Sequence, residues 1–423
     1  MINPDELCLK CMQPTPMVNY CINCGSPRLY SQELEYALPL KTILNGRYLV
    51  GSMLGAGGFG ITYIGYDLLE NKIIAIKEFM PSGLVTRLPG QVAMQLSTNE
   101  KTFNDSKERF LNEARMIHHY KDNPNILQVY SLFEENKTAY YVMEYLYGLD
   151  LKHFMEYRSG KISWQELYPI ILQLIYALSI LHKEGVVHRD ISPDNIFISP
   201  TGKATLIDFG AARQYMAQKQ LTIILKRNYA PLEQYKSNGI QGPWTDIYSL
   251  AATIYHALTG TLPPEATNRI YDDKIIPFAE FGVTLPYNAE HAIYKALALN
   301  SENRYQNILD FKKDLLGSNY IPQHYIKCIS GEYAGNSISF SGNLVIGRNQ
   351  SQCQLIYSST AKGVSGTHIM LSLQNGAATI MDLNSTYGTF VNNMRLSSNC
   401  YYSLTPNDEI AFGENQRWIY ENY

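Results

Sequence analysis

Two short β-favouring runs, Asn195-Ile196-Phe197-Ile198 and Ala204-Thr205-Leu206-Ile207-Asp208, stand on either side of Pro200-Thr201-Gly202. Turn residues between such runs predict a β-hairpin. Pairing the strands about the turn sets the amide of Asn195 opposite the carboxylate of Asp208, with Asp190 a few residues upstream. An amide oxygen and carboxylates gathered at the base of one hairpin make an oxygen-rich site suited to magnesium. Phe209-Gly210 follow directly.

The segments feeding this hairpin are as specific. Ser163-Trp164-Gln165-Glu166 is a capping box, and Leu167, Ile170, Ile171, Leu174, Leu178 and Leu181 keep the spacing of a helix that Gly185 stops. That helix delivers the chain to Val186-Val187-His188-Arg189-Asp190. Earlier, Tyr48 to Leu54 alternate as a strand and run into Gly55-Ala56-Gly57-Gly58-Phe59-Gly60. Glycines at this spacing let backbone amides approach phosphate oxygens with no Cβ in the way. A dinucleotide-binding turn runs into a helix, whereas here β-favouring Ile61-Thr62-Tyr63-Ile64 follow, so strand–loop–strand is expected; an ordinary glycine-rich hairpin fits the same spacing. In Ile73-Ile74-Ala75-Ile76-Lys77 the period of two puts Ala75 and Lys77 on one face, suited to a flat purine and its phosphates. Ser106 to His119 reads as a helix with Phe110, Ala114 and Ile117 on its inner stripe. Glu113 shares that stripe, and an inward carboxylate needs a cation, for which Lys77 is the candidate. A lysine at a strand end and a solvated glutamate are the plainer reading of the same two residues.

Composition sets limits on the rest. Apolar residues make up 45% of the 423, enough for packed cores, and the net charge of −3 points to neither a nucleic-acid nor an anionic-membrane partner. The longest apolar stretch, around 168–181, is interrupted by Gln173 and Ser179, and the first ten residues lack an apolar signal core, so a soluble cytoplasmic protein is expected. Four of the seven cysteines form Cys8-x-x-Cys11 and Cys21-x-x-Cys24. This spacing resembles a zinc ribbon of two knuckles, each turn supplying two thiolates to a tetrahedral Zn²⁺. A rubredoxin-like iron site and a reactive dithiol pair are the alternatives. Four segments result: a zinc ribbon at 1–28, a linker at 29–44, a mixed α/β domain at 45–318, and an all-β sandwich at 325–423.

Residues 45–318 resemble the protein-kinase superfamily, with its motifs in order, and in flavour the bacterial kinases of the eukaryotic-like type. The resemblance implies a bilobal α+β fold and ATP-dependent phosphorylation of Ser/Thr in protein substrates. By it, Gly55, Gly57 and Gly60 cover the ATP phosphates, Lys77 pairs with Glu113, and Ala75, Glu144 and Leu146 hold adenine. Asp190 becomes the catalytic base, and Asn195 and Asp208 the Mg²⁺ ligands. Asp246 supports the catalytic loop, Glu233 ends the activation segment and Arg304 pairs with it. Thr222 is a candidate activation-segment phosphosite, to which Arg189 would respond. Ser192 stands where such kinases usually carry a lysine that steadies the γ-phosphate, which keeps open an inactive scaffold as the alternative.

Gly347-Arg348, Ser365-x-x-His368 and Asn384-Ser385-Thr386-Tyr387-Gly388-Thr389 fall on loops between alternating strands. Together they resemble the forkhead-associated (FHA) domain. The resemblance implies that Arg348, Ser365 and Thr386 cradle a phosphothreonine, on this chain or on a partner protein, while His368 braces the loop. A guanidinium and two hydroxyls suit a phosphate dianion. Tyr387 and Gly366 depart from the residues usual there. A phosphate-blind assembly module is the competing reading.

Overall fold

The computed structural model describes residues 4–16, 19–27, 32, 34–97, 99–210, 212–214, 226–236, 238–317, 324–374, 377–406 and 408–422. The chain divides into two units, Met1–Gly317 and Ser318–Tyr423.

In the first unit, an antiparallel sheet runs in the order Ile43–Leu44, Tyr48–Gly57, Gly60–Asp67, Lys72–Phe79, Thr138–Glu144, Val129–Glu135. Alternation along Lys72–Phe79 works as the period of two requires: Ile74 and Ile76 are fully buried in the core beneath the sheet, and Ala75 and Lys77 face the other way. The helix packed on that core, Glu100–His119, starts earlier than its apolar stripe suggests. The Asn99 side chain caps it, accepting from Thr102 N at 2.9 Å, and Phe103 extends the buried stripe by two turns. Thr102 therefore sits in a first helical turn.

Below the sheet lies a helical layer. Trp164–Lys183 is long and apolar enough to cross a bilayer by length and composition, yet eight of its residues are buried in this unit's core. Half of its capping box forms: Ser163 Oγ accepts from Glu166 N, but the Glu166 carboxylate accepts from the Ser163 hydroxyl and not from its backbone N–H, and Gly185 leaves the helix with φ 74°. Pro243–Thr259 packs beside it and is buried along nearly its whole length, and Tyr287–Ala296 and Ile308–Leu316 complete the layer.

The expected linker at 29–44 is packed in its second half. Ala37 and Leu38 are buried in the main core, and Leu38 N donates to Tyr63 OH at 2.9 Å. The cysteine segment is docked too. Met12 is fully buried in a small cluster with Leu7, Leu49, Ile64 and Tyr66, and Ser52 N donates to Leu9 O at 2.7 Å. Gly51 permits this approach: a Cβ there would lie 2.2 Å from Met12 Cε and 2.6 Å from Leu9 O.

The second unit is a sandwich. One sheet runs Ser337–Phe340, His324–Ser330, Gln416–Asn422, Glu409–Phe412, Thr389–Val391, Met394–Arg395, and the other Leu355–Ile356, Leu344–Gly347, Ile369–Gln374, Ala377–Asp382, Tyr401–Ser403. Ile326, Ile346, Leu371, Ile380, Ile410 and Trp418 fill the space between them.

Candidate active site

The strand–loop–strand expectation holds at the glycine-rich turn, where Gly57 pairs with Gly60 around a tight hairpin. Cβ atoms added at Gly55, Gly57 or Gly58 would meet nothing within 4 Å. These glycines keep open a space that the protein itself does not fill, and bare backbone amides beside open space suit phosphate. Gly60 differs from them, because a Cβ there would lie 2.0 Å from Glu78 O; strand packing alone requires it.

Lys77 Nζ lies 3.2 Å from Glu113 Oε1, and Tyr141 OH donates to the same oxygen at 3.2 Å. Burial works against the Lys77 ammonium, but Tyr141, Glu113 and Asp208 outweigh it and hold the lysine well above its ordinary value. Lys77 is therefore a fixed cation above the cleft. Ala75 pairs with Met143, and Glu144 N donates to Gln128 O at 2.9 Å, which sets the turn at Glu144–Leu146.

At the catalytic hairpin the observed register differs by one from the expected pairing. Ile196 faces Leu206, and Ile207 N donates to Asn195 O, so Asn195 lies across from Ile207 and not from Asp208. The turn is centred on Thr201, closed by Ser199 N donating to Lys203 O, and an odd-numbered turn shifts the ladder by one residue. Asp208 departs from the strand in a left-handed conformation (φ 59°). Burial would raise its carboxyl, but Lys77 and the Gly210 N–H hold it below the ordinary carboxylate value. Asp190 moves the other way: burial raises it, assisted by Asp208 and opposed by His188 and Lys226. Asn195 Nδ2 donates to Asp190 O at 2.8 Å and to Asp190 Oδ2 at 2.7 Å, which leaves Oδ1 as its acceptor. That amide oxygen and the ionised Asp208 are hard oxygen donors that fit Mg²⁺.

Asp246 holds the catalytic loop from below. Fully buried, it accepts from His188 N at 2.8 Å and Arg189 N at 2.7 Å, and His182 Nε2 meets it at 2.8 Å. Glu233 and Arg304 pair at 2.8 Å. Arg189 Nε donates to Gln241 Oε1. Thr222 lies outside the described residues.

Sequence reasoning missed a buried polar network under the sheet. Glu78 pairs with Arg87, both side chains fully buried, and accepts from Tyr63 OH and Tyr140 OH at 2.8 Å each. Arg87 reads as one more exposed arginine in a polar insertion; only the out-of-pattern Glu78 on a buried strand face gave a signal.

The four cysteine sulfurs lie within 4.8 Å of one another, with Cys8–Cys24 and Cys11–Cys21 Sγ separations of 3.7 Å. A tetrahedron of Zn–S bonds of about 2.3 Å has edges of about 3.8 Å. These are thiols arranged for a thiophilic ion, far beyond disulfide length.

In the second unit the structure joins Ser365 to Thr386: Thr386 N donates to Ser365 Oγ at 3.1 Å, and the two hydroxyls are 3.5 Å apart. Arg348 N donates to Ser365 O at 3.1 Å, while its exposed guanidinium rests on Ser359 O at 3.3 Å and lines a cavity of about 420 Å³ with Glu332, Gln350 and Ser358. His368, fully buried, accepts from Ser365 N at 2.9 Å through Nδ1, so Nε2–H donates to Gly388 O at 3.3 Å. The anchor missed from sequence is Asp382. Buried beneath the loop, it accepts from Ser385 N and Oγ, Thr389 Oγ1 and Ser398 Oγ.

A two-lobed fold with a glycine hairpin over a lysine–glutamate pair defines a nucleotide-dependent phosphotransferase class. The chain belongs to the protein kinase domain family, which matches residues 48–316, and residues 344–413 match the FHA domain. Among curated proteins it is similar to serine/threonine-protein kinase PrkC of Bacillus subtilis, 28% identical over 64% of this chain and 40% of that one. Serine/threonine-protein kinase PknB of Mycobacterium leprae is 28% identical over 64% of this chain and 43% of its own length. Serine/threonine-protein kinase F of Synechocystis is 30% identical over 58% and 48%. The chain thus spans less than half the length of each of these relatives. A solved structure, "PpkA-294 apo form", is 33% identical, with a TM-score of 0.59, covering 66% of this chain and 99% of that one.

Proposed function

We propose that this chain is an ATP-dependent serine/threonine protein kinase with a phosphothreonine-binding module, working in the cytoplasm. The observation that carries the reading is the Lys77–Glu113 pair at 3.2 Å, with Asp208 ionised by the same lysine. This pairing leaves the lysine cationic and aimed into the cleft. Mg²⁺ on Asp208 and Asn195 Oδ1 would neutralise the phosphate charge. Asp190, raised by burial and oriented by Asn195, is placed to accept the proton of a substrate Ser or Thr hydroxyl as its oxygen attacks the γ-phosphorus. Lys77 and the glycine hairpin hold the phosphates in line. The scaffold reading rested on Ser192, and the ordered set of five polar groups weighs against it. We further propose Zn²⁺ as the ion of the four thiolates, and Ser365, Thr386 and Arg348 as the phosphothreonine contacts.

Purified protein with labelled ATP, Mg²⁺ and a threonine-containing peptide tests the reading. Asp208→Asn and Lys77→Ala should each lower phosphoryl transfer by at least ~10²-fold, as loss of one electrostatic partner at a transition state does, with thermal stability retained. Wild-type turnover in both variants would remove the kinase assignment.

A further inference from the structure

Position 192 is a serine, fully buried, where the kinase resemblance leads one to expect an amine. An amine is present all the same, contributed from elsewhere. Lys226 Nζ donates to Ser192 Oγ at 2.8 Å and to Asp194 Oδ2 at 2.6 Å. Ser192 stands two residues past Asp190 on the same loop, and Asn195, which follows Asp194 directly, donates to both Asp190 O and Asp190 Oδ2, so the ammonium is fixed to the segment that carries the base. The backbone carrying it is fixed. Lys226 O accepts from Tyr229 N at 2.9 Å and Ala230 N at 3.0 Å, Tyr235 OH donates to Arg227 O, and Asn228 Nδ2 to Pro263 O.

Resting on the kinase reading above, we infer that Lys226 is a catalytic residue that supplies the γ-phosphoryl group with the ammonium that position 192 lacks. The amine comes from the segment before Tyr229-Ala230-Pro231, and position 192 contributes the hydroxyl that receives it. In the reaction the hydroxyl oxygen forms its bond to the γ-phosphorus as the bond to the ADP oxygen breaks. The hydroxyl proton goes to Asp190, and Lys226 keeps its protons throughout while offsetting charge on the equatorial oxygens. A purely structural clamp explains the contacts poorly. Asp194 is 41% exposed and already has Lys152 at 3.8 Å, and ion pairs to an acid this exposed contribute little to stability. An ammonium held on the buried hydroxyl two residues past the base, by contrast, is a phosphate site in waiting.

The test uses the full chain and three proteins: wild type, Lys226→Met, and Lys226→Met with Ser192→Lys. Lys226→Met should lower kcat by about 10²-fold, and restoring the amine from position 192 should recover at least ~10-fold of that loss. Unchanged kcat in Lys226→Met, or a loss that Ser192→Lys does not relieve, would overturn the inference. If the wild type itself fails to transfer phosphate, the kinase reading falls separately, and the ratio of ATP to ADP affinity decides about Lys226. A ratio lowered in Lys226→Met assigns the amine to the γ-phosphate, and an unchanged ratio refutes it.

Discussion

Replacing Arg87 with methionine removes the only cation paired with Glu78 among the described residues, at a site where neither side chain touches solvent. Glu78 keeps two neutral donors, Tyr63 OH and Tyr140 OH, and loses two charge-assisted bonds from the guanidinium. Breaking a buried ion pair from one side costs about 3–5 kcal/mol, because the remaining charge stays buried and unmatched. Arg87 also donates to Val92 O and Tyr36 O, each at 3.0 Å. Tyr36 is 43% exposed, so water replaces part of that contact and it adds little. At about 2–4 °C per kcal/mol for a unit of this size, the transition should fall by on the order of 10 °C. Adding Glu78→Gln removes the stranded charge yet leaves an amide oxygen for the two tyrosines. The double variant should therefore be more stable than Arg87→Met alone, with a coupling of at least about 1 kcal/mol. Calorimetry on the full chain measures this, with the relevant transition identified as the one that moves when Mg·ATP is added. An Arg87→Met cost below about 1 kcal/mol, or strictly additive single changes, would refute the argument that this pair is buried and mutually dependent.

Elemental analysis should find one zinc per chain, and Cys21→Ser should lose it and raise hydrogen exchange at Leu49, Ile64 and Tyr66, which share a cluster with Met12; exchange confined to the first 27 residues would mean the knuckle is energetically separate. Burial lowers His324 and His368, with Gly388 O and Asp382 opposing at His368. The unfolded chain therefore takes up protons first, so the second unit has its full stability above pH 6.5 and loses some as pH falls below that value. Exchange in Ile369–Asp382 should rise from pH 7 to 5, less so in His368→Asn, and a flat profile would contradict the assignment. Calorimetry with phosphothreonine and unphosphorylated peptides should show binding only of the former, weakened ~10-fold or more in Arg348→Ala; equal binding throughout would make the unit an assembly module.

The candidate-site residues were legible because their chemistry is local and their spacing rigid. The Asn195–Asp208 hairpin, the Lys77 face and the Glu113 stripe each follow from a short periodicity, and the error was one residue of register, set by an odd-numbered turn. What stayed hidden was joined through segments that carry no local periodicity. Arg87 reaches Glu78 and the Tyr36 carbonyl from an insertion with no apolar period. Lys226 reaches Ser192 over a separation of 34 residues; the departure at Ser192 was visible, but no local pattern marks Lys226.

The seat of Met12 has a practical side. The family match begins at residue 48, but a polypeptide trimmed to that edge would present Leu49, Ile64 and Tyr66 to water as an adhesive patch on the upper lobe. Trimming would also delete the Tyr36 carbonyl and the Leu38 plug. Residue 51 is thereby governed by a side chain from another module, since even alanine there collides with Met12. Expression trials, homologue swaps and directed evolution on this lobe should carry the cysteine segment along and supply zinc during synthesis, or they will select for repairs to a wound made by the cut.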